Sequence, residues 1–149
     1  MCCGFSFFGE TETAVATDFA TWESGGAGTS ESPFNISSAD DLMNVYTAIK
    51  TSGSIAGVTA STANYKVTAD IDMTAKTAYK GLGTGNAFAG TFDGGNHTIT
   101  LNITSGSAVG LIGTAGACTI KNVVVAGLIK GSSSVGAIVG KSTSTATPK

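Results

Sequence analysis

The chain has 149 residues, enough for one domain with a short appendage, and only 12% of them are charged, against about 25% in ordinary soluble domains. Eight lysines and ten acids give a formal net charge of −2 with no arginine, which excludes a cationic nucleic-acid groove or a polybasic membrane patch. Glycine is abundant at 21 residues and hydrophobic residues make up 42%, whereas helix formers such as Glu, Lys, Leu, Gln and Arg are scarce, so short strands joined by tight turns are expected over long helices.

Residues 1–30 read as an extended arm and linker. An apolar start (Phe5, Phe7, Phe8) leads through a Thr/Ala/Glu stretch to Phe19 and Trp22, and then to the flexible run Ser24-Gly25-Gly26-Ala27-Gly28-Thr29-Ser30. Residues 1–9 are too short and lack the basic start of a secretory signal, and no stretch approaches the roughly 18 apolar residues of a membrane span. Cys2, Cys3 and Cys118 do not have a metal-ligand spacing. The plain reading is reduced thiols, with Cys118 a small core residue; the sharper one joins Cys2 or Cys3 to another chain or to a lipid.

A helix is expected over residues 38–50, where Leu42, Val45, Tyr46 and Ile49 recur on one face. Ser37 or Ser38 is its N-cap, Asp40 and Asp41 complement its positive end, and Gly53 lies just beyond its last turn. From Tyr65 onward the period changes to two. In Thr98-Ile99-Thr100-Leu101-Asn102-Ile103-Thr104 the aliphatics alternate with short polar groups, so Thr98, Thr100, Asn102 and Thr104 should form an outer polar face. Turn-rich Asp93-Gly94-Gly95-Asn96 precedes this strand.

Near-repeats follow. Val109-Gly110-Leu111-Ile112-Gly113 is echoed by Val135-Gly136-Ala137-Ile138-Val139-Gly140, and Thr98-Ile99-Thr100 by Thr119-Ile120-Lys121. Periods in the twenties with glycine at the corners are those of a parallel β-helix or β-solenoid of a few coils, in an all-β chain whose helix caps the N-terminal end. Val123, Val125, Leu128 and Ile138 would continue its inner ladder. The organisation expected is an arm over 1–30, the solenoid over 31–141 and a tail over 142–149.

The segment from Asn86-Ala87-Phe88-Ala89-Gly90-Thr91-Phe92-Asp93-Gly94-Gly95-Asn96-His97-Thr98-Ile99 through the two Val-Gly echoes resembles bacterial GLUG-motif proteins. Upstream, Pro33-Phe34-Asn35-Ile36, the helix, and Tyr65-Lys66-Val67-Thr68-Ala69-Asp70-Ile71-Asp72-Met73 resemble the lead-in before their repeats. The resemblance implies an extracellular, cell-surface, adhesin-like module with a solenoid fold. It implies no activity.

Little in the chain points to chemistry. His97, the single histidine, stands in a turn-to-strand step, and no serine has a nucleophile-elbow context. Asp70, Asp72 and Asp93 are the only acids of the β region that could pair for glycoside chemistry, and each fits a turn or lead-in as well. Gly81-Leu82-Gly83-Thr84-Gly85 lacks the Lys-Ser/Thr of a phosphate loop. No cofactor and no metal is expected.

Three function classes result. The first is a non-enzymatic structural or adhesive module whose partners are copies of itself or a host or cell-surface glycan or protein. In its sharper form Cys2, Cys3, Phe5, Phe7, Phe8, Phe19 and Trp22 carry self-association, docking head-to-tail onto an open solenoid end and propagating a fibre. The second is a glycan-binding or glycan-cleaving β-helix, with Tyr65 and Tyr79 as its available aromatics besides Trp22. The third is ice or mineral recognition by the threonine row, which the echo at Thr119 and Lys121 interrupts.

Overall fold

The structure, a computed structural model, describes residues 18–143. The expectations for Cys2, Cys3, Phe5, Phe7, Phe8 and the last six residues fall outside the described residues. Short strands dominate, with one α-helix among the described residues. The order is β1 (Phe34–Ile36), α1 (Ala39–Lys50), β2 (Ser54–Ile55), β3 (Val58–Thr59), a 3-10 turn (Ala60–Thr62), β4 (Asn64–Val67), β5 (Ile71–Asp72), β6 (Thr91–Asp93), β7 (Thr98–Ile103), β8 (Ile112–Ala115), β9 (Thr119–Lys121), β10 (Val124–Ile129) and β11 (Val139–Ser142).

Apart from the antiparallel β2–β3 hairpin, every strand pair is parallel. One sheet runs β9-β6-β4-β1, a second β10-β7-β5 and a third β11-β8, the last extended by parallel bridges from Leu82 to Ile112 and from Phe88 to Ala115. The chain therefore visits the same three sheets in the same order on successive passes. Tyr65 lies against Phe34, Phe92 against Tyr65 and Ile120 against Phe92, steps of 31, 27 and 28 residues. Close parallel stacking with short connections needs small residues where passes touch. A Cβ on Gly110 would lie 2.5 Å from the Gly136 carbonyl oxygen, and Val109 bridges Val135, so this glycine echo is a true neighbour relation.

The other echo is corrected. Ile99 pairs with Val125, and Ile120 pairs with Phe92, because the strands Thr98–Ile103 and Thr119–Lys121 belong to different sheets. The inner ladder is corrected too. Val125 and Ile129 oppose Ile99 and Ile103 on the core side, but Leu128 opposes the outward Asn102 and is 44% exposed, and Ile138 is 39% exposed.

Helix α1 begins at Ser38, whose hydroxyl accepts the Asp41 N–H at 3.2 Å, while the Asp41 carboxylate accepts the Ser37 N–H and hydroxyl. Its end differs from expectation. The left-handed residue is exposed Ser52, with φ 58°; its N–H donates to Ile49 O and the Gly53 N–H to Ala48 O, closing a Schellman motif one residue earlier than the glycine suggested. Leu42, Val45, Tyr46, Ala48 and Ile49 enter the common core, and the helix lies over residues 76–86 of the second pass. Tyr46 packs on Tyr79 with ring centroids 5.1 Å apart, Asp40 pairs with Lys76, and the Asn86 amide donates to Ile49 O.

The glycine-rich run is not a loose linker. Asn35 N–H donates to Gly25 O, its side-chain amide to Ser24 O, and the Asn64 N–H and amide both donate to Gly28 O. Gly26 and Gly28 have φ of +100° and +79°, and side chains there would strike the Pro33 carbonyl and the Phe34 ring. Glycine here permits close approach to β1.

Candidate functional site

Three surfaces carry the sequence-derived candidates, beginning with the outer face of the middle sheet. Along β7, Ile99, Leu101 and Ile103 are buried, and Thr98, Thr100, Asn102 and Thr104 face outward as the alternation required. Their neighbours are not threonines. Asp72 stands beside Thr100 on one side, and Val124, Ala126 and Leu128 stand beside Thr98, Thr100 and Asn102 on the other. The threonine row is thus a single strand wide, and the residues interrupting it belong to β10, not to Thr119 and Lys121. Polar groups on this face hold local structure. Asp70 accepts the Thr98 N–H and lies 3.5 Å from His97 Nδ1, Asp72 accepts the Thr74 N–H and hydroxyl, and the Asn102 amide donates to Thr74 O. The Thr74 bonds hold the Asp72 carboxyl below its usual value.

Phe19 and Trp22 are packed on the chain's own domain. Phe19 bridges Ile55, and the Trp22 indole N–H donates to Asn35 O at 2.8 Å with its ring 5.8 Å from Phe34. Tyr65 and Tyr79 do not line a glycan groove. Both are core residues at 0% and 1% exposure, their hydroxyls donate to Ala60 O and Leu111 O at 2.6 Å, and burial pushes their pKa values up. Cys118 is half-buried against the core and its thiol is also raised by burial.

The second surface is a groove of 390 Å³ over the four-stranded sheet, walled by Ser30, Glu31 and Pro33. Its floor has two in-register rows, Asn64–Thr91–Thr119 and Lys66–Asp93–Lys121. Asp93 takes both its donors, the Gly95 N–H and the Asn122 amide, on Oδ1. Burial alone would raise its carboxyl, but those two bonds and the charges of Lys121 and Lys66 outweigh it and hold the group below its usual value. Sequence reasoning missed this site because it needs the register between passes. The shared polar-apolar-polar triplets Asn64-Tyr65-Lys66, Thr91-Phe92-Asp93 and Thr119-Ile120-Lys121 were the available signal.

The third surface is the last pass. Strands β9, β10 and β11 are each outermost in their sheets among the described residues. Inner positions lose burial there. Phe34, Tyr65 and Phe92 are all at 0% exposure while Ile120 is only half-buried, and buried Val109 has as its neighbour Val135, which is 46% exposed. Outward Val124 and Leu128 add apolar area beside this end. Charge is sorted along the same direction. All ten acids lie at or before Asp93, whereas residues 94–149 hold four lysines and no acid.

At the first pass the strip from Trp22 to Gly28 runs along β1, and α1 packs on Lys76, Tyr79 and Asn86. Among the described residues no helix is long and apolar enough to cross a membrane, and no group of three His, Cys, Asp or Glu side chains could hold a metal ion. In comparisons with family models, curated proteins and solved structures, no match to this chain was found.

Proposed function

We propose that the chain is a non-enzymatic structural or adhesive module of an extracellular surface protein: a short parallel β-solenoid, closed at one end and extended at the other by a second copy. The three sheets are its faces, and the GLUG-like pattern supplies the glycine corners and inner aliphatics of its coils. The observation that carries the reading is the loss of burial at inner positions of the last pass, where Ile120, Val125 and Val135 continue columns that are fully buried one pass earlier. Half-exposed apolar columns at the end of a stack of parallel strands are stabilised by further stacking.

With one end covered, two solenoids cannot stack head-to-tail edge on edge, and two lysine-only ends facing each other repel. The head-to-tail contact is therefore assigned to residues 1–17, which bring Phe5, Phe7 and Phe8 for the apolar surface and Glu10 and Glu12 for Lys121, Lys130 and Lys141. Residues 18–28 are part of the fold, so the informative truncation removes only residues 1–17. Electron microscopy and sedimentation of the full chain should show fibres or short oligomers that vanish in that truncation and in Val135→Lys. A full chain that stays monomeric when concentrated overturns self-assembly, and fibres that persist without residues 1–17 overturn the role of the arm.

The non-enzymatic part of the reading is supported by the use of the candidate acids. Asp72 and Asp93 each accept a backbone N–H within a turn and stand in different sheets, and Asp70 accepts the Thr98 N–H of the following pass.

A further inference from the structure

We propose that the groove over the four-stranded sheet binds an acidic saccharide, with Lys66 and Lys121 holding its anionic groups and Asp93 Oδ2 accepting one of its hydroxyls. This goes beyond the assembly reading and uses none of the apolar residues of the open end.

The Asn64 amide and Asp93 Oδ1 serve the fold, but four other groups on the groove floor do not. Neither Lys66 nor Lys121 has a carboxylate within 4 Å among the described residues, and the Thr91 and Thr119 hydroxyls have no hydrogen-bond partner there. Both bonds to Asp93 end on Oδ1, which fixes the carboxylate's orientation and leaves Oδ2 free as an acceptor. A merely solvated strand face would also carry lysines and threonines. The middle sheet is the internal comparison: there Asp70, Asp72 and Asn102 all serve turns or neighbouring passes. The first sheet combines unspent polar groups with a wall, and the groove volume of 390 Å³ falls in the range of about 300–1,000 Å³ typical of small-ligand sites.

The mixture of charges selects the ligand class. Asp93 lies between the two lysines and Glu31 is on the wall, but a neutral sugar leaves both ammonium groups without a direct ion pair. An acidic peptide supplies the anions but meets the Asp93 charge with few hydroxyl donors. A saccharide bearing carboxylates or sulfates supplies anions and hydroxyls together. Strands in a sheet are about 4.8 Å apart, so Lys66 and Lys121 start about 10 Å apart with Asp93 between them, and they engage anions on separate sugar units.

The test is titration calorimetry on the full-length chain with an oligogalacturonate and a chondroitin sulfate oligosaccharide, with a maltooligosaccharide and poly-glutamate as comparators. Saturable binding of either acidic saccharide is expected; because chondroitin sulfate carries carboxylates as well as sulfates, binding of it without binding of the oligogalacturonate assigns the contact to sulfate, and binding of the oligogalacturonate assigns it to carboxylate. Exposed Lys66→Met with Lys121→Met should weaken it by about tenfold or more. Asp93→Asn, in which Oδ1 can still accept the Gly95 N–H and the Asn122 amide, should also weaken it when measured well below the variant's unfolding temperature, whereas simple polyanion attraction would make that variant bind more tightly. Thr91→Val keeps the β-branched shape and should weaken binding several-fold through its lost hydroxyl. The proposal is overturned by no binding of either acidic saccharide, by equal binding of the maltooligosaccharide or poly-glutamate, by indifference to the lysine changes, or by tighter binding in Asp93→Asn.

Discussion

Tyr65 and Tyr79 place two phenol hydroxyls inside an apolar core, and each is tolerated because it donates to a buried carbonyl, Ala60 O and Leu111 O. Burial favours the neutral phenol, so the folded chain keeps protons that the unfolded chain releases above about pH 10. Their contribution is fully present below that pH and is lost as the pH rises beyond it. Urea midpoints should therefore fall between about pH 9 and about pH 11, and Tyr79→Phe should shrink that fall while costing about 1 kcal/mol near neutrality. An unchanged midpoint at the higher pH would contradict this assignment. Ser52 is a second residue-scale case, since an exposed serine holds the left-handed position of a Schellman motif that favours glycine. Ser52→Gly should raise stability by roughly 0.5–1 kcal/mol in denaturant unfolding, with the helix end unchanged.

At the scale of elements, the strip of residues 22–28 shows how glycine content misleads. Three glycines in four residues resemble a linker, yet here they let the chain run against Pro33 and Phe34 while accepting hydrogen bonds from Asn35 and Asn64. Gly28→Ala should cost about 2–4 kcal/mol, from ring overlap with Phe34 and a positive φ, where a true linker would lose nothing. Thermal unfolding of the variant measures it. The helix and β7 were legible because, at twelve and six residues, each is long enough to repeat its period about three times. The β2–β3 hairpin was not. Its strands have two residues each, and its turn, Ala56-Gly57 with φ 48° and 80°, puts alanine where asparagine or aspartate usually announces a hairpin. Register was half legible: the Val-Gly echo marked true neighbours, but Ile99 and Ile120 share only a local pattern, and which sheet a short strand joins depends on the length of the connections between passes.

For the whole molecule, the low charge matters less than its distribution. Acids are confined to the first 93 residues and only lysines follow, so the molecule is polarised along the direction in which its passes stack. In the proposed assembly two forces act at the last pass, and they respond oppositely to salt. Apolar contact with Ile120, Val125 and Val135 is unaffected or strengthened by salt, while attraction between an acid-bearing arm and Lys121, Lys130 and Lys141 is screened. Contact between two lysine-bearing ends would instead be weak at low salt and improve as repulsion is screened. Head-to-tail assembly through residues 1–17 therefore predicts oligomers that shorten as sodium chloride rises from about 20 mM to about 500 mM, where the Debye length falls from roughly 20 Å to about 4 Å. Glu10→Gln with Glu12→Gln should remove that salt dependence and leave a weaker, apolar association. Sedimentation velocity across the series decides the arrangement, because oligomers that lengthen with salt would reverse the orientation and place two open ends face to face.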